Sequence, residues 1–385
     1  MAIWIVLTDD WELRGNGAGT VEDLQQKPAL RLMDLYDRLG IKSTFNIEVM
    51  QQLAFEKYAD LNADIRAGRD AWRHTVRTMA ARGFDVQLHI HPQWLDAELI
   101  DGWWKLGRRW NIADYTSDEI GRMMNAAISY LQDFVAPGKI VSFRGGSWGM
   151  GPPSRAVLTE LSKRGIALDV SIVSGIYYDG EAIKLDYRNV DSPFLPYRPD
   201  IDDVRRIPRS PQNAAAVVEI PTQSVPRGQL AKRLVLKSVK TGSSEALRGL
   251  INLVRGTQGY GFLKKMVTQL QGLALRRNQS KLGPDFVIHD PFGFQSGRAK
   301  TDMIFDLSSD LPPIILREMA DICIARVDRD NPSIVVLVLE NHTKDLQRQS
   351  DFDRIEGLID HVRSKHPFVE FKSLAEVAHN LARII

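Results

Sequence analysis

Cysteine is nearly missing from this chain of 385 residues. Cys323 stands alone, so no intramolecular disulfide can form and a reducing compartment fits. It lies in the helical-looking stretch 315–327, where a buried structural thiol is expected. Long apolar runs are missing too: none approaches about 18 residues, the length a transmembrane helix needs. The first residues read directly as a strand, not as a basic segment followed by an apolar leader, and a cytoplasmic location is the expectation. There is no internal repeat and no low-complexity tract. Overall charge bias is small, with 50 Lys and Arg against 48 Asp and Glu, a net of +2. A charged fraction of 25% and a hydrophobic fraction of 44% are those of an ordinary globular protein.

The small net charge conceals an uneven distribution. Residues 227–281 hold twelve Lys and Arg against one acid, Glu245, and so carry +11. The remainder is therefore −9, the difference from a total of +2. The expected organisation is one domain over 1–385 with a basic helical insertion at 227–281.

Along the chain, strand and helix patterns alternate. Apolar runs at 3–7, 41–47, 86–90, 140–143, 166–170, 217–220 and 334–339 read as strands, with 286–289, 303–305 and 368–372 as shorter candidates. Helical spacing covers 28–39, 71–82, 117–134, 154–164, 313–326 and 352–364, with a terminal helix from Ser373. Gly40, Gly83 and Gly165 stop three of these helices. Ser117 opens the third helix with an unfilled capping box. A Pro- and Asp-rich connection spans 193–211. Such alternation predicts an α/β fold with a parallel sheet, and parallel sheets carry their chemistry at the carboxyl ends of the strands.

Those ends are reactive here. Strand 3–7 runs into Asp9-Asp10, and strand 86–90 contains His89 and leads to His91-Pro92. Strand 140–143 leads to Arg144-Gly145-Gly146, strand 166–168 to Asp169, and strand 334–339 to Glu340-Asn341-His342. Side chains alternate across a strand, so His89 and His91 project to one side. Two imidazoles near two carboxylates make a nitrogen and oxygen ligand set for one divalent metal. Hydrogen-bonded core histidines are the plainer alternative. Neighbouring Asp9 and Asp10 face different ways, so one can bind metal while the other takes a proton from water. Helix capping or an Asx turn is the competing reading.

Arg144, after a buried strand, needs an anionic partner, either a catalytic Asp or a structural ion pair. The glycines after it would let backbone approach a substrate. His342 has a near-neutral ordinary pKa suited to protonating a leaving group. His74, His361, His366 and His379 are expected at solvated positions.

Taken in order, Thr8-Asp9-Asp10, His89-x-His91-Pro92, Phe143-Arg144-Gly145-Gly146, Leu168-Asp169-Val170 and His342-Thr343 resemble the five motifs of polysaccharide deacetylases of the NodB-homology, carbohydrate esterase 4 type. The resemblance covers the chain outside the basic insertion. It implies a distorted (β/α)7 barrel and hydrolysis of N-acetyl groups from sugars. By the same resemblance Asp9 is the base, Asp10, His89 and His91 bind a divalent metal, and Arg144 holds the base. Asp169 supports the acid side, and His342 is the general acid. Zinc is the first expectation, with manganese, cobalt or nickel as alternatives. The chain departs from the common pattern at three points. A Phe between Thr and the Asp pair is missing, the second histidine comes two rather than four residues after the first, and Arg-Gly-Gly replaces Arg-x-Pro.

The basic insertion interleaves Lys and Arg with Leu and Val, as in Leu230-Ala231-Lys232-Arg233-Leu234. It reads as a peripheral contact with anionic lipid at the inner membrane face, suited to a lipid- or nucleotide-linked sugar, or as a solvated helical cover on the barrel. Nucleic acid is not an expected partner, since only Tyr260 and Phe262 are aromatic there. The rival functions are a metal-dependent amidase acting on a small non-sugar amide and a barrel that binds glycans without turnover.

Overall fold

Alternation along the first strand sets the architecture. Ile3, Ile5 and Leu7 face a large apolar layer shared with the helices, whereas Trp4 and Val6 face a second, smaller apolar cluster inside the sheet. A strand that is apolar on both faces belongs to a parallel sheet covered by helices. The computed structural model describes residues 2–180, 183–241, 243–254, 302–326 and 335–381.

In chain order the elements begin with β1 (Ile3–Trp11), α1 (Lys27–Arg38), β2 (Thr44–Glu48), α2 (Val49–Tyr58), α3 (Ala63–Ala81) and β3 (Asp85–Ile90). A hairpin of β4 (Glu98–Ile100) and β5 (Trp103–Lys105) precedes α4 (Ser117–Leu131), β6 (Ser142–Gly145), α5 (Arg155–Lys163) and β7 (Leu168–Asp169). A second hairpin, β8 (Tyr177–Asp179) with β9 (Lys184–Asp186), is followed by β10 (Val218–Glu219) and β11 (Ser224–Val225). Next come α6 (Arg227–Thr241), α7 (Ser244–Val254), β12 (Met303–Ile304) and α8 (Pro313–Ala325). The chain closes with β13 (Val335–His342), α9 (Gln349–Lys365), β14 (Val369–Phe371) and α10 (Leu374–Leu381).

Seven parallel strands lie in the order β10-β7-β6-β3-β2-β1-β13, and β14 pairs with the start of β1. The ends of this series meet, because Thr222 bridges Val338 in parallel and Gln223 N–H donates to the Val338 carbonyl at 2.9 Å. The expected distorted (β/α)7 barrel is therefore present. Its interior is filled at the lower end by Trp4, Val6, Leu168, Val170, Val218, Ile220, Val336 and Val338, and α10 plugs that end with Leu374, Val377 and Leu381.

Several local boundaries differ from the sequence reading. The helix expected from 71 starts at Ala63, because the Asn62 side chain accepts from the N–H groups of Asp64 and Ile65. Thr116, not Ser117, caps α4, and Glu119 completes a capping box with it. Glu48 ends β2 and caps α2, an element without a prior sequence signal. The expected strand 286–289 lies outside the described residues, as does the insertion from 255 to 281. Within the described part of the insertion, Leu230, Leu234, Leu250 and Leu253 are buried against the body. Arg233 and Lys237 pair with Glu318 of α8. Among the described residues no helix is long and apolar enough to cross a membrane.

His361 and His366 are not the solvated side chains expected. Both rings reach the buried carboxylate of Asp321, Nε2 to Oδ1, at 3.0 and 2.8 Å, and tie α9 to α8. Cys323 is buried as expected.

Candidate functional site

The inward face of β1 changes character as it rises. Above Trp4 and Val6 the next inward positions are Thr8, Asp10 and Glu12. Their neighbours across the sheet follow the same register: Thr8 lies beside Glu340, and Asp10 beside both His342 and Asn46. Glu48 lies beside His89, and His89 beside Arg144. Parallel register puts these groups on one interior face. A polar storey thus sits directly on the apolar plug.

Its lowest layer is an ion pair. The Arg144 guanidinium is fully buried and donates to Glu340 Oε2 at 2.9 Å and to Thr8 Oγ1 at 3.1 Å, with Asp10 Oδ2 3.8 Å away. Burial of such a cation is tolerable only with anions in place. Burial alone would raise the Asp10 carboxyl, but the charges of Arg144, His89 and His342 hold it below its ordinary value. Asn46 Nδ2 donates to Asp10 Oδ1 at 2.8 Å.

The upper layer holds two clusters of ligand-type atoms, each within 4.8 Å internally: Glu12 with His89 and His91, and Asp10 with Glu340 and His342. In the first, both imidazole Nε2 atoms face Glu12 Oε2, that of His89 at 3.4 Å, while Lys344 Nζ pairs with Oε1. His89 Nδ1 lies 2.8 Å from the Arg144 carbonyl, to which it donates, and this turns Nε2 toward Glu12. That Nε2 is buried and has no hydrogen-bond partner among the described residues. Glu48 Oε2 accepts the His91 backbone N–H, and Gln93 Nε2 lies 3.0 Å from His91 Nδ1.

In the second cluster His342 Nε2 is 3.3 Å from Glu340 Oε1 and 3.9 Å from Asp10 Oδ2, and Nδ1 is 3.5 Å from Asp306 Oδ2. Burial and Lys344 favour the neutral ring, yet Asp306 and Glu340 prevail and raise His342 to about 10. It is an imidazolium at neutral pH.

The structure brings Asp10, His89, His91 and His342 into one cavity. It does not bring Asp9 or Asp169 there. Asp9 continues the outward series of Ile5 and Leu7. Its Oδ1 accepts from Asn341 Nδ2 and lies 3.4 Å from Tyr36 Oη of α1. Burial pushes its carboxyl up to about 7, against the hydrogen bonds from Asn341 and Ser43. The role of base expected for Asp9 is therefore not what the geometry supports. Asp169 stands beside Glu219 of β10, and its Oδ1 accepts from Ser171 Oγ at 2.5 Å. Ser171 Oγ in turn accepts the Gly145 N–H at 2.7 Å, so Asp169 braces the end of β6. The room at Gly146 is taken by a side chain of the protein: a Cβ there would stand 2.6 Å from the His91 ring.

Sequence reading missed Glu12, Glu340, Asp306 and Lys344 as members of the site. The first two had a signal. Glu12 is two residues after Asp10 and Glu340 two before His342, the same spacing that singled out His89 and His91. Asp306 had none, since it reaches the site through an isolated bridge to Glu340.

The fold defined here, a seven-stranded parallel barrel with acids and imidazoles at its carboxyl end, is the deacetylase-type barrel that the motifs resemble. A solved structure of a protein described as a glycoside hydrolase/deacetylase, from Parabacteroides distasonis, is 14% identical over 98% of this chain and 70% of that one, with a TM-score of 0.53. Proteins described as polysaccharide deacetylases are similar at lower scores. One from Mycobacterium smegmatis is 13% identical over 99% and 91% of the two chains, with a TM-score of 0.49. One from Pseudomonas aeruginosa PAO1 is 14% identical over 99% and 91%, with a TM-score of 0.44. No family model matches the sequence, and no curated protein does. At these identities the likeness is one of fold.

Proposed function

We propose that this protein is a metal-dependent hydrolase that removes N-acetyl groups from a carbohydrate. The observation that carries the reading is the meeting of Glu12, His89 and His91 in one cavity with Asp10 and His342. Two imidazoles and one carboxylate are a ligand set that leaves a fourth position open on zinc. The orphaned Nε2 of His89 fits that use. A divalent cation held by these three residues would polarise an amide carbonyl as a Lewis acid.

The chain's own groups handle the protons. Asp10 Oδ2 accepts a proton from the attacking water as the water oxygen bonds to the acyl carbon. His342 gives its Nε2 proton to the amide nitrogen as the carbon–nitrogen bond breaks, so that acetate and a free amine leave. Arg144 keeps Asp10 ionised, and Asp306 and Glu340 keep His342 charged and aimed. Lys344 holds the second oxygen of Glu12 and leaves the first to the imidazoles. Relative to the motif resemblance, the base moves from Asp9 to Asp10 and the metal carboxylate from Asp10 to Glu12. The basic residues of 227–281 would serve a substrate carried on an anionic lipid or nucleotide, to be checked by sedimentation with anionic vesicles.

Metal analysis combined with acetate release from N-acetylated sugars tests the reading. About one metal per chain is expected, with acetate release abolished in Asp10→Asn while the metal stays. Metal without acetate release from any sugar would favour an amidase for small non-sugar amides. Absence of metal, with Asp10→Asn silent, would end the enzyme reading.

A further inference from the structure

The cavity is chemically divided. Its floor is charged: Asp10, Glu12, His89, His91, His342 and Lys344. Its walls and roof are apolar and aromatic, and come from three segments outside the barrel strands. Trp110 follows the β4–β5 hairpin, Trp148 follows β6, and Ile176, Tyr178, Ile183 and Leu185 belong to the β8–β9 hairpin and its approach.

These walls are built in place. Trp148 Nε1–H donates to Glu340 Oε2 at 2.9 Å, so the floor's own carboxylate fixes the indole. The Trp148 carbonyl accepts from Tyr187 Oη at 2.7 Å. Ser147 and Trp148 both have left-handed backbone, with φ of 54° and 55°, a conformation that costs non-glycine residues energy and persists where the surroundings impose it. Trp110 lies so close over Gly15 that a Cβ there would stand 2.9 Å from its ring. The roof is pinned where Tyr187 N–H donates to the Ile176 carbonyl at 2.9 Å and Gly175 N–H to the Tyr187 carbonyl at 2.8 Å.

Resting on the hydrolase reading, we infer that the site takes a compact substrate: a single N-acylated sugar ring, free or at a chain end, with its apolar ring face against Trp110 and Trp148. An internal unit of a long polysaccharide needs a trough along which the chain leaves on both sides. Among the described residues this floor is instead flanked by the indoles of Trp110 and Trp148 and by the β8–β9 hairpin, three separate segments that close around one small ligand. Rigid aromatic walls present a large apolar surface at little entropic cost, which suits the carbon-bound face of a pyranose.

The test uses the full-length, zinc-loaded protein with the methyl glycosides of N-acetylglucosamine and N-acetylgalactosamine and with soluble glycol chitin. Acetate release and quenching of tryptophan fluorescence are both followed. At least one monosaccharide glycoside is expected to exceed the polymer tenfold or more in kcat/KM per acetyl group. Trp110→Ala should raise KM about tenfold with a much smaller change in kcat, and Trp110→Phe should restore most of it. Should Trp110→Ala fail to fold, Tyr178→Ala carries the same expectation. A tenfold preference for the polymer would overturn the inference while leaving the hydrolase reading intact. Saturable quenching by a monosaccharide without acetate release would sustain it and sink the hydrolase reading. Neither quenching nor turnover by either glycoside would overturn it.

Discussion

Replacing Asp9 by Asn separates the motif-based expectation from the geometry. The carboxyl is fully buried, and its pKa stands at about 7 against an ordinary value of 3.8, a displacement of about three units. In the unfolded chain the group loses its proton near pH 4, and in the folded chain only near pH 7. Between those values the folded state binds the extra proton, so stability falls as the pH rises. At about 1.4 kcal/mol per unit, the full penalty above pH 8 is about 4 kcal/mol. Asparagine is the same shape and never ionises. Its oxygen can still accept from Asn341, and its nitrogen would face Ser43 Oγ, a hydroxyl that accepts as readily as it donates. Asp9→Asn should therefore unfold in urea about 2–4 kcal/mol later than the parent at pH 8 and about equally at pH 4.5, with acetate release and metal content retained. Urea titrations at the two pH values, with acetate assays on the same preparations, give the answer. A folded variant with unchanged pH dependence and a thousandfold loss of turnover would refute the face assignment and return the role of base to Asp9.

Other consequences follow from the same contacts. Glu12→Gln should weaken zinc binding at least a hundredfold in calorimetric titration, whereas Asp10→Asn should leave it within a few-fold. Gln93→Leu should cost about 10–100-fold in zinc affinity, as loss of a hydrogen bond to a metal-binding imidazole does. Its Oε1 has no partner among the described residues, so a half-turn of the amide would accept His91 Nδ1–H and leave Nε2 for the ion. Arg144→Met should lower unfolding free energy by about 3–5 kcal/mol, because Glu340 and Asp10 would stay buried without their cation. Asp321→Asn should cost about 1–3 kcal/mol at pH 6 by loss of charged hydrogen bonds. Burial raises the Asp321 carboxyl, but Lys365, His366 and His361 outweigh it and depress the pKa. The contribution is thus present above the unfolded value, and the gap to the parent should close as the pH falls below about 4.

The barrel was legible because its strands declare themselves twice, by apolar runs and by the reactive groups that follow them. Local propensity left little trace of the rest. The connection from β7 to β10 holds no α-helix among the described residues, and the β8–β9 hairpin that lines the cavity is three residues a side. Strands that short carry no readable period, so Tyr178 and Ile183 gave no warning of their place. Likewise Asp321 is one of two acids on α8, and only the packing of α8 on α9 reveals that two histidines serve it.

The candidate site shows a different kind of failure, a displacement by one residue. Reading β1 as ending at Leu7 frees Asp9 and Asp10 from the alternation and invites an assignment by order alone. The strand instead runs to Trp11, so its alternation continues through the acids: Leu7, Asp9 and Trp11 outward, Thr8, Asp10 and Glu12 inward. The same rule, used at His89 and His91, had already given a same-face pair. Three strands then contribute one such pair each: Asp10 with Glu12, His89 with His91, and Glu340 with His342. Adjacent register between β1 and β13 merges two of them into the cluster of Asp10, Glu340 and His342, while β3 brings its imidazoles to Glu12. In a barrel the interior is reached only by every second residue. A reactive strand end should therefore be read as spaced pairs before neighbouring acids are given separate roles, and by that rule Asp9 belongs to the packing between sheet and helix.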